Sequence, residues 1–204
     1  MATLKLTKNE LREQQKRLSL FCKYLPSLQL KKARLQSEVD KSAVEVTALK
    51  GEFAHSKQII RGFSPLLLDK GEVDIAQYAD ISYVKKHYEN VAGVDIPIYE
   101  EVIFHEITYS LFATPIWTDS ATHLVRAFLI AKEKLSIGEE KKRALERELR
   151  EVSIRVNLFE KILIPRAQEG IKKIRIFLGD QQLAAVAQAK IAKLKIKKDL
   201  EEMG

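Results

Sequence analysis

The side chains able to do chemistry in this chain are few and scattered. Four histidines, His55, His87, His105 and His123, share no spacing that would bring them to one site. His105-Glu106 begins like the zinc-protease pattern H-E-x-x-H, but position 109 is Tyr, so the second histidine is missing. No Cys/His cluster has metal-ligand spacing. Neither the phosphate-cradling G-x-x-x-x-G-K loop nor the dinucleotide-binding G-x-G-x-x-G is present. Carboxylates abound, yet none is paired with a base or nucleophile in a way that would support acid–base work. The single cysteine, Cys22, follows the apolar Phe21 and reads as a partly packed small hydrophobe. The expectation is a chain with no catalytic site, no metal and no cofactor, from a reducing, cytosolic compartment.

Charge is the more informative property. Residues 161–198 hold ten cations against Glu169 and Asp180, a balance of +8, whereas residues 64–119 hold three lysines against ten acids, a balance of −7. The sharpest local feature is the basic tail Lys190, Lys193, Lys195, Lys197 and Lys198, in which Ile191 and Leu194 share a helix face. Such a tail suits a nucleic acid, an anionic membrane surface or an acidic protein socket, or it simply favours the negative end of a helix dipole. Nucleic acid is the poorer fit, because no aromatic residue follows Phe177 to stack on bases and the acidic middle repels a phosphate backbone. No stretch reaches the ~18–20 apolar residues that cross a bilayer, so direct membrane insertion is not expected.

The elements that position these charges follow from heptads. One register runs from Leu4 to Ile60, and 12 of its 17 a and d positions are apolar. A second runs from Leu124 to Leu163, with ten of 12 positions apolar. Repeats of 3.5 residues keep one seam against a partner helix, and the first stripe alone would span on the order of 85 Å. The expected fold is mainly α: a long antiparallel two-helix coiled coil of the N- and C-terminal helices around a small central region with short strands or a hairpin. The expected divisions are 1–62, 63–118 and 119–204. Thr7 to Glu10 reads as a capping box. Pro26 should bend or locally break the first helix around Lys23–Leu25, as a kink and not a full turn because the heptad phase continues through it, and Gly62 with Ser64-Pro65 should end the helix near Ile60. Strand-like runs are Ile81–Tyr88, Val91–Tyr99 and Glu101–Tyr109. Thr118-Asp-Ser should cap the second helix. Gly138 and Lys142 interrupt its seam and should loosen it. Pro165 should kink that helix or shift its register, since the apolar spacing moves one position to Ala167, Ile171, Ile174 and Leu178. Gly179-Asp180 reads as a stop before a further helix.

Two segments carry a resemblance. Arg155-Val-Asn-Leu-Phe-Glu-Lys-Ile-Leu-Ile-Pro-Arg166 resembles the R-V-N-x-x-E-x-x-I-I-P-R signature of the D-subunit family of V-type (vacuolar/archaeal-type) ATPases. It matches at Arg155, Val156, Asn157, Glu160, Ile164, Pro165 and Arg166, with Leu163 in place of Ile. Asn90-Val-Ala-Gly93-Val94 with Pro97 is similar to that family's N-V-x-G-V-x-x-P. Thr7-Lys and Leu30-Lys-Lys-Ala-Arg-Leu35 loosely resemble its first-helix pattern, which is blurred around Pro26.

The resemblance implies a central-stalk rotor. Its paired helices would enter a hexamer of catalytic and non-catalytic subunits, and its middle would lie near the F-subunit of the stalk and the socket of the membrane ring. It would be cytoplasmic and peripheral to the membrane. Val156 falls on the seam, where packing alone explains it. Arg155, Asn157, Glu160 and Arg166 fall off the seam and are partner-contact candidates, with Lys190, Lys193, Lys195, Lys197 and Lys198 beside them. Gly93 and Pro97 shape a turn and contact a partner second; Pro26 and Pro165 shape helices. The competing readings are a self-associating coiled-coil scaffold or adaptor and a basic coiled coil that binds nucleic acid or membrane.

Overall fold

Both heptad stripes fold as helices. The computed structural model describes residues 5–67, 79–106 and 115–202. In chain order they form α1 (Lys8–Leu67), β1 (Ile81–Val91), β2 (Val94–Phe104), α2 (Trp117–Leu158), a π-helical turn (Phe159–Leu163) and α3 (Ile164–Glu202). The chain divides into two compact units, Met1–Leu30 with Ser153–Gly204, and Lys31–Val152.

The Lys31–Val152 unit is an antiparallel helix pair with a hairpin laid on it. Phe53 stacks on Phe128 at 5.1 Å, Lys50 meets Glu139 at 3.1 Å, Lys141 meets Glu45 at 2.7 Å and Lys31 meets Glu148 at 2.7 Å. Partners that descend in α2 as they ascend in α1 define the antiparallel register. The seam between them is closed to solvent by packing: Leu35, Val39, Ser42 and Val46 are buried on α1, and Ala131, Ile137, Leu145 and Val152 on α2. Each is a predicted seam position except Ile137, which neighbours one. In the Met1–Leu30/Ser153–Gly204 unit, Phe21 meets Phe159 edge-on at 5.4 Å, and Val156, Ala167, Ile171 and Ile174 are buried.

Several local expectations are corrected. α1 does not end near Ile60; it runs through Gly62 and Pro65 to Leu67. A proline two residues from a helix end removes only one donor there. α1 continues through Pro26, in line with the heptad phase that runs across it; Pro26 has no N–H for the Cys22 carbonyl, and beside it the hydroxyl of Ser27 donates to the Tyr24 carbonyl at 2.9 Å. The capping box is half made. Thr7 Oγ1 accepts the Glu10 amide at 3.3 Å, but the Glu10 carboxylate accepts from Gln14 instead of reaching back. α2 starts at Trp117, so Thr118 lies inside its first turn, buried, and its carbonyl accepts the Thr122 hydroxyl at 2.8 Å. Gly179-Asp180 does not stop α3, which holds Gly179 in ordinary helical geometry. The expected strand Val91–Tyr99 contains the hairpin turn, and the 107–109 end of the third expected strand lies outside the described residues, as do Leu4 and the side chain of Lys198.

Gly138 gives the most instructive correction. Instead of loosening the seam it is buried within it, and a Cβ added there would stand 2.9 Å from Leu49 Cδ1 and 3.6 Å from Val46 Cγ2. The missing side chain lets the helices approach closely. The near atom is the end of a flexible leucine, so Gly138→Ala is expected to stay within about 1 kcal/mol of the parent: helix propensity gains what repacking loses. Gly138→Leu must overpack the seam and should cost about 1–3 kcal/mol. Urea unfolding of the three chains measures both.

Candidate functional site

The hairpin turn explains Gly93. Ala92 and Gly93 both have positive φ, 54° and 82°, the geometry that a two-residue hairpin turn requires and that glycine adopts freely. Asn90 ties the turn together: its Oδ1 accepts the Gly93 amide at 3.1 Å and its Nδ2 donates to Asp95 at 2.7 Å. Lys31 Nζ comes within 3.5 Å of where a Cβ on Gly93 would sit, so the turn lies against α1. Pro97 is buried opposite Tyr88 in the ladder.

The hairpin is latched to the helices by cations. Lys86 meets Glu140 at 3.3 Å, Lys134 sits 5.3 Å over the Tyr99 ring, and Arg126 sits 4.9 Å over the Phe104 ring and donates to the His105 carbonyl. The Glu140 hydrogen bond raises the Lys86 pKa. Between these contacts, Pro97 and Tyr99 face Leu49, Ile137 and Lys141 across a gap of about 210 Å³.

A β-bulge at Glu100 adds a charge cluster. Lys85 pairs with Glu101 and Lys86 with Tyr99, so Glu100 is the extra residue, turned toward Lys85 Nζ at 3.0 Å and His87 Nδ1 at 2.9 Å. The Lys85 hydrogen bond holds the Glu100 carboxyl below its ordinary 4.5, and Glu100 in turn raises Lys85 above 10.5. A lowered acid stabilises the fold above its unfolded value and loses that contribution as pH falls through the folded one. A raised lysine stabilises below 10.5 and loses its contribution as pH rises through the higher folded value. Wild type should therefore exceed Glu100→Gln in thermal midpoint at neutral pH, and the difference should vanish as pH drops below 4.5.

The 155–166 segment is built around the π turn. Ile164 donates to the Phe159 carbonyl, an i→i−5 bond that places one more residue in the turn than an α-helix holds. Pro165 has no N–H for the Lys161 carbonyl, and the wider turn ends just before it. The extra residue advances the buried face from Val152 and Val156 to Ala167, Ile171 and Ile174. The expected register shift at Pro165 is thus carried by a π turn. Arg155, Asn157, Glu160 and Arg166 are all exposed beside buried Val156. Composition does not single out the outward row Ile154, Leu158 and Ile162, exposed by 61%, 40% and 53%, though its four-residue spacing off the seam is a signal that could find it.

The basic tail behaves differently again. Every described side chain from 181 to 197 is exposed, including Lys190, Lys193, Lys195 and Lys197, with Leu183, Leu194 and Ile196 each at least 60% accessible. That stretch of α3 has no covering helix among the described residues. Within the same bounds, no group of three or more His, Cys, Asp or Glu could hold a metal ion, and no helix is long and apolar enough to cross a membrane.

A family model described as the ATP synthase D-subunit matches residues 10–194. Relatives named as the D-subunit of V-type ATP synthase align along nearly the whole chain. The Chlamydia abortus protein is 44% identical over 200 residues, covering 98% of this chain and 96% of that protein. The Chlamydia caviae protein is 44% identical with the same coverage, and that of Chlamydia trachomatis serovar L2 is 40% identical over 202 residues, covering 97% and 98%. This chain, with its seamed helices, its latched hairpin and its π turn, belongs to the ATP synthase D-subunit family.

Proposed function

We propose that this chain is the central-stalk rotor component of a V-type ATPase or ATP synthase, a non-catalytic part of the complex that couples ATP chemistry in the hexamer to ion movement through the membrane ring. The observation that supports this most is the family match over residues 10–194, which falls on a chain organised as seamed helices instead of around a reactive cleft. A shaft inside a ring of alternating catalytic and non-catalytic subunits presents each with a different face. Rotation then changes each site's affinity through differential contacts, typically worth about 1–3 kcal/mol of coupling.

The exposed surfaces divide the partners. The uncovered 181–197 helix, with its apolar positions and lysines, suits the interior of the hexamer. The outward row Ile154, Leu158 and Ile162, flanked by Arg155, Asn157 and Glu160, suits a neighbouring stalk protein such as the F-subunit. The hairpin unit, with its acidic bias, lies toward the ring socket. The chain would be held at the membrane by the complex alone, on its cytoplasmic side.

Assembly of the hexamer with and without the chain tests the reading. A one-to-one complex with the hexamer is expected; self-association of the chain without binding would overturn it in favour of a scaffold. Reversing Lys190, Lys193, Lys195, Lys197 and Lys198 to Glu should weaken assembly by at least about tenfold at low salt, because electrostatic complementarity is lost across a whole surface, while the thermal midpoint of the isolated chain stays the same.

A further inference from the structure

A cleft of about 530 Å³ lies beside the π turn, within the Met1–Leu30/Ser153–Gly204 unit. Its floor is small and apolar, with Ala167 and Gly170 beside Phe21. The π turn makes its walls. In an uninterrupted heptad, positions 166, 170 and 173 would follow Val156, Phe159 and Leu163 on the seam. The extra residue moves the seam to Ala167, Ile171 and Ile174, and so turns Arg166 and Lys173 onto its flank. An arginine and a lysine that would otherwise face the partner helix thus border an open cleft.

The rim charges are unequally satisfied. Glu10 is held by Gln14 at 2.9 Å, and Arg17 reaches Glu13 at 3.5 Å. Arg166, Lys173 and Glu169 make no ion pair among the described residues. The hydrogen bond from neutral Gln14 leaves the charge of Glu10 in place, so the lining sets Arg17, Arg166 and Lys173 against Glu10 and Glu169, a balance of +1 that one incoming carboxylate neutralises. Arg166 and Lys173 are seven residues apart on one helix face, and both side chains are long enough to converge on the same group. Arginine offers the planar fork that matches a carboxylate.

We propose that this cleft is a socket for a single Asp or Glu side chain of the protein surrounding the helix pair, with Arg166 as its main ligand and Lys173 as its second. The inference rests on the rotor reading, which supplies the surrounding protein. Charge complementarity selects the occupant: a lipid headgroup or a polyanion would meet Glu169 and Glu10 on the same rim.

The test is titration of the full chain into the purified catalytic hexamer of its own ATPase at two salt concentrations. Arg166→Gln with Lys173→Gln is expected to weaken binding by at least about tenfold at low salt and to flatten the salt dependence. Arg166→Lys should keep part of the affinity. Lys172→Gln, in the opposite groove with Cys22 and Ile176, should change it less than threefold, roughly the range of a rim charge. The isolated variants should melt with the parent. A photocrosslinker at Gln14 in the cleft should capture a hexamer peptide containing Asp or Glu. Unchanged affinity and salt slope in the double variant, or capture of a peptide without an acid, overturns the socket and leaves the rotor reading standing. A parent chain that does not bind the hexamer overturns both.

Discussion

Removing Lys161 from the π turn, with Pro165 replaced by alanine, is expected to leave the chain as stable as before, whereas removing Arg147 from α2 should cost about 1.5–3 kcal/mol. Both deletions take out one exposed residue. They differ in what the seam does next. One residue is about 100° of helix rotation, so deleting Arg147 turns Leu149 and Val152 off the seam of their unit. Val152 is 0% exposed, and a buried Val, Leu or Ile is worth roughly 1.5–3 kcal/mol. The π turn, by contrast, already carries one residue too many for a continuous heptad. Deleting Lys161 lets Ile164 take the position of Leu163 and brings Ala167, Ile171 and Ile174 into the phase set by Val156 and Phe159. With Pro165 gone, the new turn regains a backbone donor. Urea unfolding of the two deletion variants distinguishes the cases. If both cost the same, the π turn is not a register device.

The seam is legible in the sequence because its physics is local. Every buried position on α1, from Leu35 to Val46, follows from counting 3.5-residue steps, and the step after Pro165 is visible as a one-residue drift in apolar spacing. What counting cannot supply is the means of absorbing the drift. A kink, a local unwinding and a π turn all satisfy the same sequence, and the choice depends on where the Lys161 carbonyl finds a donor. Gly138 departs from expectation for a related reason. A glycine on a seam signals either a gap or a close approach, and only the distance to Leu49 decides between them. The prolines at 26 and 65 weigh less than their type suggests, since each removes one backbone hydrogen bond from a helix of 60 residues whose neighbouring turns keep theirs. Off-seam candidates such as Asn157 and Arg166 are located by their register and prove exposed. The cleft beside Arg166 needs two segments distant in sequence to be seen together. The latch of Arg126 and Lys134 over Phe104 and Tyr99 is beyond the reach of the sequence for the same reason.

Leu145→Ala and Leu183→Ala should separate what holds the chain together from what it offers to others. Leu145 is 0% exposed in the seam of its unit. Truncating it removes apolar contacts and leaves a cavity between two long helices that are also held at Lys31–Glu148 and Lys141–Glu45 and cannot collapse freely, so the cost should be about 2–5 kcal/mol. Leu183 is 71% exposed on the uncovered part of α3, and the isolated chain should not register its loss beyond about 0.5 kcal/mol. In the assembled complex the order reverses. A leucine that becomes buried only when the hexamer closes around it contributes to binding alone, so Leu183→Ala should weaken assembly by roughly tenfold, the equivalent of part of a buried side chain. Leu145→Ala should bind normally below its lowered melting temperature. Thermal unfolding of the two variants, set against their titration into the hexamer, makes the comparison. Equal assembly by Leu183→Ala and the parent would mean that residues 181–197 stay as exposed in the complex as they are in the free chain, and the basic helix would then have to be placed outside the hexamer.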